Sequence, residues 1–370
     1  MMKIVKTITL QDLGYDGFFD SAYESARADG VFPARVIAEH KEVYRVKDAE
    51  GEYLARITGK HRFSARKRED YPAVGDWVTI SKPDGENAVI RAVLPRKTLL
   101  RKKYSGKRDI QIIAANIDAA FVVESLDRDY SLNRFERYFV LAREGGIEPV
   151  AVLNKADLLS EAELEKAIEE TRKRFPGIDV IATSILAERG IGALAGRMSK
   201  GKTYCFLGSS GVGKSSIINR LLEENTLKTG EVGEATGRGK HTTTAREMYF
   251  LPARENSGAG GEGGAIVIDN PGTREVGVAD AEEGLENVFG EITRLSGECK
   301  YADCTHTHEP GCAVTRALGQ GELDEGRYRN YLKLRKENEY YEMTDVEKRE
   351  KDRKFGKFVK KILDGKRSEE

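Results

Sequence analysis

The chain has 370 residues, enough for two or three domains that each bury a core. Its 61 basic and 61 acidic residues cancel to a formal charge of zero, which excludes whole-protein polycation binding and moves the question to local segments. With 39% hydrophobic and 33% charged residues, no apolar run long enough to cross a bilayer, and an amino terminus without the basic, apolar, small-residue order of a secretion signal, a cytoplasmic protein with no membrane role is expected.

Residues 1–30 alternate aromatics and acids and are read as an extension holding a short helix or two. From 31 to 95 come five β-rich runs, VFPARVIAE, EVYRV, YLARI, DWVTI and AVIRAV, separated by turn chemistry in KDAEGE, AVGD and KPDGEN. That is the spacing of an OB-like five-stranded barrel, with Trp77 expected in its core. Two basic stretches are expected as loops on it: GKHRFSARKRED between the third and fourth strands, and residues 91–108, which carry eight basic residues and no acid. With Phe63 and Tyr104 interleaved they suit phosphate tracking plus base stacking, hence RNA; the alternative is an ordinary solvated surface.

Over residues 96–282 strands alternate with amphipathic helices, the pattern of a doubly wound α/β domain with a parallel sheet. IDAAFVVES, EPVAVLN, DVIATS and KTYCFLG read as strands, SLNRFERYFVLAREGG as a helix, and Ser160 with Glu163 as a capping box opening another. AREMYFLP and AIVIDNPG look like two adjacent strands joined by a glycine-rich surface loop. Residues 283–370 form a third region with a Cys/His cluster, a helix around ELDEGRYRNYLKLRKENEYY, and a tail from Val346 with ten basic and six acidic residues, either a solvated helix or a second RNA arm.

The segment Gly208, Ser209, Ser210, Gly211, Val212, Gly213, Lys214, Ser215, Ser216 fits a P-loop, and it sits after a strand and before a helix, as the mechanism requires. Its glycines let backbone N–H groups curl around the β-phosphate, Lys214 reaches the β/γ oxygens, and Ser215 offers a hydroxyl to Mg²⁺. Asn154, Lys155, Ala156 and Asp157 end another strand as N-K-x-D; Asp157 can accept from guanine N1–H and the exocyclic amine, and a site wanting those donors rejects adenine. Asn154 and Lys155 would brace neighbouring loops, and Thr183 with Ser184 falls where a backbone contact to the guanine oxygen is made. Asp269 and Gly272 frame D-x-x-G, for water-mediated Mg²⁺ binding and for γ-phosphate sensing. One of Thr242, Thr243 and Thr244 can supply the switch hydroxyl on Mg²⁺, and Thr243 is the choice. No glutamine follows Gly272, so the isolated protein should turn over slowly, at roughly 10⁻⁴ to 10⁻² per second. His241 is the candidate to approach the attacking water when a partner orders that loop; the alternative is a solvated loop histidine.

An ordinary small GTPase has N-K-x-D after D-x-x-G, whereas here the motifs at 154 and 183 precede those at 208, 242 and 269, so the domain is circularly permuted. Whatever follows residue 272 is attached directly to a switch. Cys299, Cys304 and Cys312 with a histidine, His306 or His308, have the spacing of a closed, structural Zn²⁺ site. Cys205, inside a strand, reads as a buried hydrophobe.

The barrel, the permuted order, G-R-G-K-H-T-T-T, D-N-P-G-T-R-E and the Cys/His cluster together resemble the RsgA (YjeQ) family of small-ribosomal-subunit biogenesis GTPases, over nearly the whole chain. A monomer is expected, and the resemblance implies an enzyme that hydrolyses GTP to GDP and phosphate. It also implies binding to the 30S subunit and its 16S rRNA late in maturation, stimulation by that subunit, and one zinc held by Cys299, Cys304, His306 and Cys312. It likewise points to His241 as catalytic. Asn270 departs from the family's usual threonine at a side chain not expected to touch the metal. Two other readings are a permuted GTPase of the large subunit, against which the domain order speaks, and a non-hydrolysing, nucleotide-sensing RNA-binding protein.

Overall fold

The computed structural model describes residues 8–40, 43–82, 86–103, 110–127, 130–223, 246–252, 264–269, 278–344, 346–350 and 353, in two compact units, Met1–Val276 and Gly277–Glu370. The described part of the amino-terminal segment holds a 3₁₀ turn at Gln11–Leu13 and a helix, α1 (Gly17–Ala26), started by Asp16, whose carboxylate accepts from Phe18 N at 3.1 Å. The alternating runs that follow become β1 (Phe32–His40), β2 (Val43–Lys47), β3 (Glu52–Ile57), a short α2 (Gly59–Ser64), β4 (Trp77–Ser81) and β5 (Asn87–Val93). They pair in the order β1-β2-β3-β5-β4, and an antiparallel β1–β4 pairing closes the barrel. Its interior holds Val36, Tyr44, Val46, Ala55, Val78, Ile80 and Ile90.

Trp77 is buried but not in that interior. Side chains alternate along a strand, so with Val78 and Ile80 inside, Trp77 points out, where Leu13, Tyr15, Phe19 and Leu94 cover it. The amino-terminal segment is therefore a lid on the outer wall of the barrel.

The second basic stretch is not a barrel loop either. Arg91 lies within β5, and β6 (Leu99–Lys103) pairs antiparallel with β7 (Ile110–Ala115) as a separate ribbon; Tyr104 lies outside the described residues. Its cations meet acids that are distant in sequence. Arg96 makes a two-pronged pair with buried Asp76 at 2.8 and 2.7 Å, Lys97 pairs with Asp16, and Arg101 lies 3.5 Å from both Glu69 and Glu144. Among the described residues, three of the cations that look unopposed along the chain, Arg96, Lys97 and Arg101, are paired in space.

Next come β8 (Ala119–Ser125), α3 (Leu132–Glu144), β9 (Glu148–Asn154), α4 (Glu161–Arg174), β10 (Val180–Ala182), α5 (Ile191–Gly196), β11 (Thr203–Leu207), α6 (Lys214–Leu222), β12 (Arg246–Phe250) and β13 (Ile266–Asp269). The order β10-β9-β8-β11-β13-β12 is parallel except for β12, which runs antiparallel to β13. The Ser160–Glu163 capping box opens α4. From α5 and α6, Ile191, Leu194, Ile217, Ile218 and Leu221 pack on Phe121, Val123 and Phe206. Arg134 of α3 meets Glu124, which alternates with Val123 and so lies on the other face of the sheet. Cys205 is fully buried in β11, and burial pushes its thiol pKa up to about 12, in keeping with a packing residue.

The barrel and this sheet are not separate bodies: β12 also pairs with β1, joining Ala38 to Glu247 and Glu39 to Arg246, so one sheet of eleven strands runs through both. Arg35 pins the junction. Its guanidinium, 1% exposed, donates to Leu13 O, to Gly75 O at 3.3 Å, to Asn116 O at 3.2 Å and to Thr203 Oγ1 at 2.8 Å. Burial draws its pKa down to about 10, against the pull of Asp118 and Asp76, so it stays charged at neutral pH. Arg35→Met leaves several buried acceptors without a donor and is expected to cost about 3 kcal/mol, read as a melting temperature lowered by roughly 6–12 °C. An unchanged melting temperature would contradict this role.

In the second unit, α7 (Glu282–Val288), α8 (Gly290–Ser296), α9 (Ala313–Gly319) and α10 (Glu325–Glu342) enclose Leu285, Phe289, Ile292, Val314 and Leu334. Asp324 caps α10 by accepting from Arg327 N at 2.7 Å. Among the described residues no helix is long and apolar enough to cross a membrane.

Candidate nucleotide site and metal centre

The loop from Gly208 to Gly213 joins β11 to α6 through three left-handed or otherwise glycine-only conformations, φ 140° at Gly208, 83° at Gly211 and 99° at Gly213. Space demands glycine at two of them: a Cβ on Gly208 would lie 2.2 Å from Val123 O, and one on Gly213 would lie 2.3 Å from Asn154 Nδ2. Val212 anchors the loop in the core, and Ser209 hydrogen-bonds Tyr138 of α3. Lys214 opens α6 and folds back on its own loop, donating to Gly208 O at 2.8 Å and Ser209 O at 2.6 Å. An ammonium curled over carbonyls is placed to turn toward a polyphosphate. Ser215 and Ser216 follow in the first turn, where free N–H groups and the helix dipole favour anions.

The ends of β9 and β10 are tied to this loop. Asn154, 2% exposed, donates to Val212 O at 2.7 Å and accepts from Thr183 Oγ1 at 3.0 Å, linking three segments far apart in sequence. Ala156 N donates to Thr183 O at 3.0 Å. Lys155 takes φ 60° and reaches Asp127 Oδ2 at 3.0 Å; Asp127 also accepts from Ser125 Oγ at 2.7 Å. Ser184 Oγ donates to Asp157 Oδ1 and accepts from Ala187 N at 3.0 Å. Asp157 itself is exposed, open to an incoming base. Asp269, 8% exposed, ends β13, the neighbour of β11 from which the loop springs. Asn270, Gly272, His241, Thr242, Thr243 and Thr244 lie outside the described residues.

Three side chains here were not singled out from the sequence. Asp127 and Tyr138 carry no motif. Glu124 leaves one signal, an acid interrupting the apolar run FVVES, and it turns out fully buried beside the loop.

In the second unit, Cys299, Cys304, His306 and Cys312 bring their donor atoms within 4.8 Å of one another. Both Cys299 Sγ and Cys312 Sγ stand 3.6 Å from His306 Nδ1 and 3.8 Å from each other. A tetrahedral Zn²⁺ with Zn–S about 2.3 Å and Zn–N about 2.0–2.1 Å calls for separations of about 3.5 Å (S to N) and 3.8 Å (S to S), so the donor set fits the ion. His306 Nε2 sits 3.0 Å from Ser296 Oγ, which leaves Nδ1 as the donor to a metal. Ala313 N and Thr315 N point at Cys299 Sγ and Cys312 Sγ, each at 3.4 Å, favouring thiolates. His308 is exposed, bonds Thr307 Oγ1 at 2.8 Å and is not in the cluster.

Residues 93–279 match the model of the RsgA GTPase family. Over 344 residues the chain is 41% identical to the small ribosomal subunit biogenesis GTPase RsgA of Opitutus terrae, covering 90% of each chain. It is 39% identical, over 89% of each, to the small ribosomal subunit biogenesis GTPase RsgA 1 of Bacteroides thetaiotaomicron. Among solved structures it resembles YjeQ from Thermotoga maritima, with a TM-score of 0.60 and 29% identity over 82% of this chain and 97% of that one. It shares the fold of YloQ, a circularly permuted GTPase, with a TM-score of 0.59 and 23% identity over 85% of this chain and 98% of that one. A glycine-bound phosphate loop, an N-K-x-D segment locked to it from earlier in the chain, a fused barrel and these likenesses agree: the protein belongs to the RsgA family of circularly permuted GTPases.

Proposed function

We propose that this GTPase acts on the 30S ribosomal subunit late in its maturation, gripping 16S rRNA and hydrolysing GTP to GDP and phosphate when the subunit completes its active site. The observation that carries the reading is family membership at 41% identity, the relatives being named for small ribosomal subunit biogenesis. In this reading the chain comprises an extension (1–30), a barrel (31–95), a permuted GTPase domain (96–282) and a zinc-bearing region (283–370), and works as a cytoplasmic monomer.

Asp157 takes the guanine edge, with Ser184 bracing one of its oxygens; Asn154, Lys155, Ala156 and Thr183 fix that wall. Residues 208–216 cradle the phosphates, with Lys214 on the β/γ oxygens. Ser215, Thr243 and Asp269 are the residues that would hold Mg²⁺, directly or through water, and Gly272 would read the γ-phosphate. Bound Mg²⁺ supplies charge neutralisation as the leaving oxygen becomes negative. His241 is assigned the attacking water once the subunit orders its loop. Zn²⁺ at Cys299, Cys304, His306 and Cys312 is structural, since four protein donors leave no position for water. On the barrel, α2 and its flank expose Lys60, Phe63, Arg66, Lys67 and Arg68, Phe63 being 95% exposed, which suits phosphate contact with base stacking.

The test is steady-state hydrolysis of GTP and ATP, with and without small and large subunits. Slow GTP-only turnover that rises many-fold with the small subunit alone is expected; no stimulation by either subunit overturns the ribosomal assignment. In the stimulated reaction Lys214→Ala should lose about 10²-fold or more in turnover, because the ammonium that meets the developing phosphate charge is gone.

A further inference from the structure

Glu124 stands where an acid is costly. It is fully buried on β8, opposite Leu153 of β9 and one residue past Val123, the residue whose carbonyl forces glycine at position 208. Oε2 accepts from Arg134 Nε at 2.9 Å, while Oε1 has no hydrogen-bond partner among the described residues. A buried carboxylate oxygen without a donor destabilises the ionised form. The charged and titratable groups around it are Arg134 and Tyr138 of α3, Tyr130 and Asp127 in the segment after β8, and Lys214 from the phosphate loop; Leu153 and Asn154 of β9 add none.

We propose that Glu124 is a positioning residue that links nucleotide binding to one proton: its ionised form attracts the Lys214 ammonium from beneath the loop and so opposes that ammonium's turn toward phosphate, and it takes up a proton from solvent on Oε1 when a polyphosphate occupies the loop. Two facts support the link. Burial pushes the Glu124 pKa up to about 7, against the opposing pull of Arg134 and Lys214 and helped by Asp127, so the group is poised between its two forms near neutrality. A nucleoside diphosphate then brings several negative charges to Lys214, and like charge raises that pKa further, which drives protonation. By reciprocity, ionising Glu124 must weaken nucleotide binding as pH rises. The inference rests on Lys214 being the phosphate ligand.

The test is calorimetric titration of the full chain with Mg²⁺·GDP at about pH 7.5, in buffers of different ionisation enthalpy, for the wild type and for Glu124→Gln. Expected is uptake of roughly half to one proton by the wild type and near none by the variant. Between about pH 6.5 and 8.5 the wild type should lose about ten-fold more affinity than the variant, the ligand's own titration being common to both. Zero uptake in the wild type, which does not depend on the variant folding, overturns the proposal, as do equal uptake or parallel pH profiles in the two proteins. A glutamate that merely braced Arg134 would change affinity equally at every pH. Absence of GDP binding at any pH would sink the Lys214 assignment together with this one.

Discussion

Replacing Asp157 with asparagine should lower GDP affinity by roughly 10²–10⁴-fold and make xanthosine diphosphate the better ligand. In the proposed site the aspartate carboxylate would accept from two guanine donors, N1–H and the exocyclic amine. An asparagine keeps one acceptor and turns an N–H₂ toward the second, so donor faces donor; xanthine carries a carbonyl at that position and restores the pair. The surrounding wall should survive the change, because Ser184 Oγ can still donate to the remaining side-chain oxygen and the backbone bond from Ala156 to Thr183 is untouched. Equilibrium titration with both diphosphates checks it. Equal loss of both would mean the loop has collapsed, and unchanged GDP binding would mean that Asp157 does not read the base.

Removing the metal, or one of its donors, should have an effect of similar size on the second unit. Cys312→Ser is expected to lower bound zinc from one ion per chain to near none and to abolish a separate melting transition for residues 277–370. In small structural sites of this kind the binding free energy, on the order of 10 kcal/mol, is folding free energy. All four donors lie in the turns between α8 and α9, and Cys312 also caps α9, accepting from Thr315 N at 3.4 Å. Without the ion this region keeps Tyr328 Oη on His306 O at 2.6 Å and Arg335 Nη1 on Cys304 O at 3.4 Å, two bonds that depend on the same turns. Zinc content by atomic spectroscopy and thermal melting, with GDP binding as the control for the first unit, decide the matter. Full zinc retention in the variant would exclude Cys312 as a ligand.

Motif residues were legible because their chemistry is local: a phosphate loop must be glycine-rich, must follow a strand and must open a helix, and all three conditions can be read in twenty residues. The same holds for the barrel's period-two strands and for the cysteine spacing. Trp77 was misplaced because a buried aromatic in a strand gives no sign of which face is covered. That depends on Tyr15 and Phe19 arriving from outside the barrel. The basic run at 91–108 misled for a related reason, since Asp16, Glu69, Asp76 and Glu144 reach it only when the chain is folded.

The sequence by itself determined the permuted order of the motifs, the three cysteines of the Cys/His cluster up to the choice between two histidines, and the enzyme class. The tertiary structure decided how the parts are joined. The edge of the barrel and the edge of the GTPase sheet meet through β1 and β12, and edge pairing uses backbone N–H and C=O groups that every residue carries, so no side-chain pattern announces it. It also decided which charges are buried. Nothing along the chain shows what surrounds Arg35 and Glu124; only the folded chain, with Leu13 and Thr203 bonded to one and Arg134 bonded to the other within reach of the Lys214 charge, makes them a latch and a neighbour of the phosphate loop.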